Sequence, residues 1–254
     1  MAEKICFIDF EYTCFEHQKN TPQNVWQREL LSVGAVICEE DETYNCAVRD
    51  VFYSIIKPLE TTELTRYCVE LTGITTQQAM ASSDGGRVLE SLYSILKKHG
   101  CTKLYCWGNR DRQILGYQFY RYGRNAVNEN GLRFIYDHLI DLEEQIRSEK
   151  MGTQMRMSMR KCVSAMNKTI TVPQIGQTES SKPVKMQNVR EFVKIPPPKE
   201  DDLHNALEDA CMLRRVYIEY KRNTSAFRRY ISSFVTELFR KGGAENGRTQ
   251  KNKS

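Results

Sequence analysis

No stretch of the sequence approaches the roughly 18 consecutive apolar residues that a membrane-spanning helix needs. Acidic side chains interrupt the first apolar run, residues 1–12, so it does not resemble the uncharged core of a signal peptide. The nine cysteines form no CxxC pair, which leaves a zinc site without supporting spacing. Without a secretion signal, we expect buried, reduced thiols and a cytoplasmic protein.

The composition is that of a soluble globular protein. The chain has 254 residues, of which 40% are hydrophobic and 27% charged, enough for one sizeable domain with or without an appendage. The net charge of +5 is a mild basic excess, which suits a polyanionic partner without proving one.

Three apolar segments near the start of the chain read as strands. They are residues 4–12, 30–38 and 51–57, with a polar turn at 39–45 and Pro58 ending the third strand. This arrangement predicts a three-stranded antiparallel meander.

Helical periodicity dominates after the meander, interrupted by short strands. The predicted helices are 61–71, 87–99, 109–122, 158–167, 203–221 and 225–241, and the strands lie at 103–107 and within 134–142. The pattern predicts an α/β fold with a mixed sheet flanked by helices. Segment 168–202, rich in polar residues and proline, is expected to be an exposed loop or partly disordered linker.

Two carboxylates stand side by side at the end of the first predicted strand. Asp9 and Glu11 are two residues apart, so they point to the same face, where their charges repel. A hard divalent cation with oxygen ligands relieves that repulsion. The alternative is a strand end that emerges into water.

Two further acids open predicted helices. Asn109 can cap a helix with Asp111 in its first turn, where the helix dipole alone also favours an acid. Asn205 and Glu208 resemble a capping box, which places Asp209 beside the apolar stripe of the helix. His204 then lies just outside that helix, where an exposed or hydrogen-bonded histidine is the alternative.

The order of these signals resembles the DEDDh 3′–5′ exonuclease superfamily, which includes RNase T and the proofreading subunit of bacterial DNA polymerase. The matching motifs are FIDFEYT (7–13), WGNRDRQIL (107–115) and HNALEDA (204–210), with CVELTGIT (68–75) as a secondary match. Taken together, the motifs most resemble the Eri-like and KapD-like branch. The resemblance covers about residues 4–221.

The resemblance implies an RNase H-like five-stranded mixed sheet and a two-metal exonuclease. Mg²⁺, with Mn²⁺ able to substitute, would be held by Asp9, Glu11, Asp111 and Asp209, and His204 would be the general base. It further implies release of 5′-nucleoside monophosphates from 3′ ends of RNA or DNA, with RNA slightly favoured.

The expected organisation is an exonuclease domain at 1–224, a helix at 225–241 and a tail at 242–254. A protein partner could bind through 168–202 or the C-terminal helix, and the basic residues between 150 and 168 suit either a phosphate backbone or a solvated helical face.

For several other side chains near these motifs, the sequence gives weaker support for a role in the site. Tyr12 and Phe15 are candidates for substrate binding, whereas Phe10 is expected to pack in the core. Asp137 and Asp141 are interpreted as structural.

A catalytically silent binding module and an RNase H-like endonuclease are the competing functions. The first predicts loss of at least one of the five site residues, and the second lacks the HxxxxD arrangement.

Overall fold

The computed structural model describes residues 2–16, 27–122, 129–146 and 204–226, together with Met186, Val189, Glu191 and Arg229. The predicted helix at 158–167, the tail at 242–254, and most of the 168–202 segment and of the 225–241 helix lie outside these residues.

A five-stranded mixed sheet forms the centre of the protein, as predicted. Its strands are β1 (Glu3–Tyr12), β2 (Leu30–Glu40), β3 (Cys46–Ile55), β4 (Lys103–Cys106) and β5 (Leu139–Asp141). Their order across the sheet is β3-β2-β1-β4-β5. β1, β2 and β3 pair antiparallel, whereas β1 with β4 and β4 with β5 pair parallel. The predicted meander and parallel strands are therefore confirmed.

Six helices are described besides the strands. They are α1 (Arg66–Thr72), α2 (Thr76–Ala81), α3 (Gly85–His99), α4 (Arg110–Tyr122), α5 (Glu129–His138) and α6 (Ala206–Arg222). Within the described ranges, no helix is long and apolar enough to cross a membrane.

Two cores cover the two faces of the sheet. Alternate β1 residues Cys6, Ile8 and Phe10 belong to the core that α3, α4 and α5 complete. Ile5 and Phe7 belong to the core beneath α6, where Phe7 packs edge-on against Tyr217. Val189, within the 168–202 segment, is also buried in this second core, so the segment is not exposed at that point. β1 is therefore buried on both sides, which explains its nearly continuous apolar sequence.

The predicted starts of β3 and α1 each lie five residues from the observed ones. β3 begins at Cys46 rather than at residue 51. It is an edge strand, and its first half contains charged and exposed residues, which hide the apolar pattern of a strand. α1 begins at Arg66 rather than at residue 61. The buried Glu29 carboxylate accepts hydrogen bonds from the backbone N–H groups of residues 59–61, which holds that segment as a loop.

The eight cysteines that the structure describes are all free thiols, and seven of them are buried. This agrees with the expected reduced core residues. Cys162 lies outside the described residues.

Candidate active site

The carboxyl end of β1 provides the first two acids of the site. Asp9 and Glu11 continue the row of Ile5 and Phe7, so both side chains lie on the face of the sheet that α6 covers. Glu11 is only 9% exposed. In β2, their partners in the antiparallel register are Gly34 opposite Asp9 and Ser32 opposite Glu11.

The first turn of α6 lies directly on this end of the sheet because Gly34 has no side chain. A Cβ on Gly34 would lie 2.2 Å from the carbonyl carbon of Ala206 and the nitrogen of Leu207. Only glycine permits that approach. The side chain of Asn205 caps the helix by accepting from the N–H of Leu207 at 3.0 Å.

The packing of α6 on Gly34 brings the HNALEDA motif (204–210) next to the acids of β1. His204, with a φ of 55°, adopts the left-handed conformation just before the Asn205 cap. Ligand atoms of Glu11, His204 and Asp209 all lie within 4.8 Å of one another. Side chains nearly 200 positions apart in the sequence therefore meet at one point.

Asp111 reaches the same pocket from α4, in whose first turn it lies. It is only 3% exposed, so its side chain faces the interior of the protein. The hydroxyl of Tyr12 donates a hydrogen bond of 2.7 Å to Asp111 Oδ1. Asp141, at the end of β5, accepts from the N–H of Gly108 at 2.8 Å, which fixes the turn between β4 and α4.

The electrostatics of the pocket are those of crowded, desolvated carboxylates. Burial and the charges of the neighbouring carboxylates raise the pKa values of Asp9 and Glu11 well above their ordinary range. Burial raises the pKa of Asp111 to about 7, although the hydrogen bond from Tyr12 acts in the opposite direction. The protein therefore bears a cost for keeping these groups ionised together, and a bound divalent cation would remove it.

The donor set fits a hard cation. Glu11 and Asp209 offer carboxylate oxygens at distances that one ion can bridge, and oxygen is the ligand that Mg²⁺ prefers. The charges of Asp111 and Asp209 act on Asp9 and Glu11, so all four carboxylates share one pocket.

His204 is exposed, and its environment differs from that of the acids. Partial desolvation of the ring lowers the pKa of His204 below its ordinary value. The imidazole is therefore neutral at pH 7 and able to accept a proton.

The other residues singled out in the sequence lie as follows. Phe10 is 2% exposed in the core, which confirms its assignment. Asp137 is exposed on α5, not on a strand, and Asp141 has the structural contact described above. Tyr12 and Phe15 are partly buried, and their binding of substrate stays a prediction.

Two features of the site were not predicted. One is the close approach at Gly34, for which a glycine inside a strand is a recognisable signal. The other is the hydrogen bond between Tyr12 and Asp111, which joins residues 99 positions apart and has no local signal.

Comparison with known families agrees with this arrangement. The model of the exonuclease family named RNase_T matches residues 6–217. Human 3′-5′ exoribonuclease 1 is 32% identical over 93 residues, which are 37% of this chain and 25% of the human protein. The rat protein of the same name is 28% identical over 104 residues, or 40% of this chain and 28% of its own length. The two matches thus span 25% and 28% of the relatives' length.

Solved structures share the fold. The nuclease domain of 3′hExo, a DEDDh family member bound to rAMP, superposes with a TM-score of 0.56 and 20% identity, covering 87% of this chain and 93% of that one. A 3′-exonuclease that recognises the 3′ end of a histone mRNA stem-loop gives a TM-score of 0.60 and 17% identity, covering 87% and 64%.

Proposed function

The chain belongs to the exonuclease family named RNase_T, and from this premise we propose that it is a metal-dependent 3′–5′ exonuclease of the DEDDh type. The proposed substrate is a single-stranded 3′ end, with RNA favoured over DNA, and the product is a 5′-nucleoside monophosphate. The observation that carries the proposal is the meeting of Glu11, His204 and Asp209 beside Asp9 and Asp111.

The four carboxylates are the proposed metal ligands. Asp9, Glu11 and Asp209 would hold one Mg²⁺, and Asp9 with Asp111 a second, with Mn²⁺ able to replace either. Paired cations of this kind stabilise the attacking and leaving oxygens of an in-line phosphoryl displacement. The carboxylates supply the negative charge that retains the ions, and the sheet and two helix starts hold them in place.

His204 is the proposed general base. Its ring nitrogen lies within 4.8 Å of ligand oxygens of Glu11 and Asp209, at the exposed side of the pocket. Because desolvation lowers its pKa, the imidazole is neutral at pH 7 and can take the proton of the attacking water at one nitrogen. Its place before the Asn205 cap leaves the ring outside the helix and open to solvent.

Support for RNA comes from two relatives named exoribonucleases, which match this chain only in part. The net charge of +5 suits either nucleic acid. A catalytically silent module is disfavoured because all five site residues are present. Binding of a protein partner through 168–202 or the C-terminal helix also stays a proposal.

The test is a cleavage assay on single-stranded RNA and DNA of the same sequence, each labelled at the 5′ or the 3′ end. With Mg²⁺, 5′-labelled RNA should shorten stepwise from its other end, and 3′-labelled RNA should release labelled monophosphate at once. EDTA should stop both reactions. Asp9→Asn should lower the rate by more than about 100-fold, since changes behind a metal ligand alone cost 10–100-fold.

Asp137→Asn is the matched control, because it makes the same chemical change at an exposed acid on α5. It should cleave at the wild-type rate. Internal fragments at early times would indicate an endonuclease, and DNA degraded faster than RNA would contradict the proposed preference.

A further inference from the structure

Tyr12 joins the end of β1 to the start of α4 through a single hydrogen bond. The pairing of β1 with β2 shifts register between Glu11 and Tyr12, so the strand is irregular at this point. The Tyr12 ring packs against the core on the side of α3, α4 and α5. Its hydroxyl donates to Asp111 Oδ1 at 2.7 Å, an ordinary length for an O–H···O hydrogen bond.

This hydrogen bond restricts the rotation of the Asp111 carboxylate. A carboxylate has two oxygens with about four acceptor positions, and it can rotate about its last bond. One fixed donor at Oδ1 holds the plane of the group and leaves Oδ2 and the remaining lone pair of Oδ1 for other ligands. The charges of neighbouring acids repel Asp111, so an unheld side chain would turn away from them.

A phenol is suited to this task because it is neutral. A lysine or arginine at the same place would also hold the carboxylate, but its positive charge would offset the negative charge that attracts a cation. We propose that Tyr12 is a positioning residue that holds the Asp111 carboxylate in the orientation required to bind the second cation. The inference rests on the proposed metal site and assigns Tyr12 a role other than contact with the substrate.

The other possible role is that Tyr12 stacks on a nucleobase. The geometry disfavours it, because the ring contacts the core and the hydroxyl is engaged by Asp111. The two roles predict different measurements. A positioning residue affects the affinity for metal, whereas a stacking residue affects the affinity for nucleic acid.

The experiment compares Tyr12→Phe with wild-type protein after removal of metal. Mn²⁺ binding is measured by calorimetry in the absence of nucleic acid, so the readout does not depend on activity. Loss of the hydroxyl should weaken the lower-affinity Mn²⁺ site by about 10-fold or more, as removal of partners behind metal ligands does. The Mg²⁺ concentration for half-maximal cleavage should rise similarly, with an RNA KM within about twofold of wild type and kcat recovered at excess Mg²⁺.

Tyr217→Phe is the matched control. Tyr217 is also buried, and its hydroxyl donates to Glu40 Oε2 at 3.3 Å, in the core beneath α6. The same deletion there should leave Mn²⁺ affinity unchanged. In a double-mutant cycle, Tyr12→Phe is added to a protein that already carries Asp111→Asn. Tyr12→Phe should then have no further effect on Mn²⁺ affinity.

Unchanged Mn²⁺ affinity in Tyr12→Phe would overturn the inference, and so would a raised KM for RNA with unchanged metal affinity. A separate result distinguishes the nuclease proposal. If Mn²⁺ affinity depends on Tyr12 but the wild-type protein cleaves neither RNA nor DNA, the positioning role stands and the proposed function fails.

Discussion

Replacing Gly34 with alanine tests how the site is assembled. Gly34 lies opposite Asp9, and the first turn of α6 rests on it. The new Cβ would lie 2.2 Å from the backbone of Ala206 and Leu207, whereas non-bonded carbon atoms prefer about 3.5–4.0 Å. Because the obstructing atoms belong to backbone, no rotamer change relieves the overlap. α6 must therefore retreat by more than about 1 Å.

The size of the effect follows from that displacement. A misplacement of about 1 Å at a catalytic group costs about 100-fold in rate, equivalent to about 2.7 kcal/mol of activation free energy. Both Asp209 and His204 move with α6, so kcat should fall by at least that factor. Overpacking should also lower the free energy of unfolding by about 1–3 kcal/mol.

The assay measures kcat at saturating Mg²⁺ together with unfolding in urea. Gly116→Ala is the control, because Gly116 lies within α4 and its Cβ would make an ordinary contact of 3.5 Å with Tyr136 of α5. That variant should keep full activity and gain about 0.5–1 kcal/mol of stability. A Gly34→Ala protein with kcat within about threefold of wild type would refute the reasoning, since the rate loss expected from a 1 Å shift is far larger.

Two further predictions concern pH. Because burial raises the pKa values of Asp9, Glu11 and Asp111, the last to about 7, the metal-free folded protein binds more protons than the unfolded chain. Its stability should therefore fall as pH rises from about 4 through 7, and the stabilisation by Mg²⁺ in urea titrations should grow from pH 5 to pH 8. A Mg²⁺ effect that does not change with pH would contradict this. For His204, whose pKa is lowered, the single-turnover rate should rise with pH and reach a plateau with an apparent pKa below about 6.5. His204→Gln should lower the rate by about 10²–10⁴-fold and flatten this rise, and an unaltered profile would exclude the histidine as base.

The sequence predicted what depends on local pattern. The two faces of β1 follow from strict alternation, so Asp9 and Glu11 could be assigned to one face and Phe10 to the other without coordinates. The Asn205 cap of α6 is a short-range signal of the same kind. The start of α1 could not be read in this way, because Glu29 holds the preceding loop from 30 or more positions away.

The candidate site shows the same division. Each acid was identifiable at a strand end or helix start, but their meeting was expected only from the order of motifs. The hydrogen bond of Tyr12 to Asp111 and the contact of Gly34 with α6 depend on the final packing. Local periodicity carries no information about such distant pairs.

The packing of α6 on Gly34 also determines when the proposed site can first form during synthesis. During synthesis Asp9, Glu11 and Asp111 leave the ribosome well before residues 204–222 have been made. Until then the pocket lacks its fourth carboxylate and its imidazole. A nascent chain therefore cannot assemble the proposed metal site until α6 has been made and has packed on Gly34.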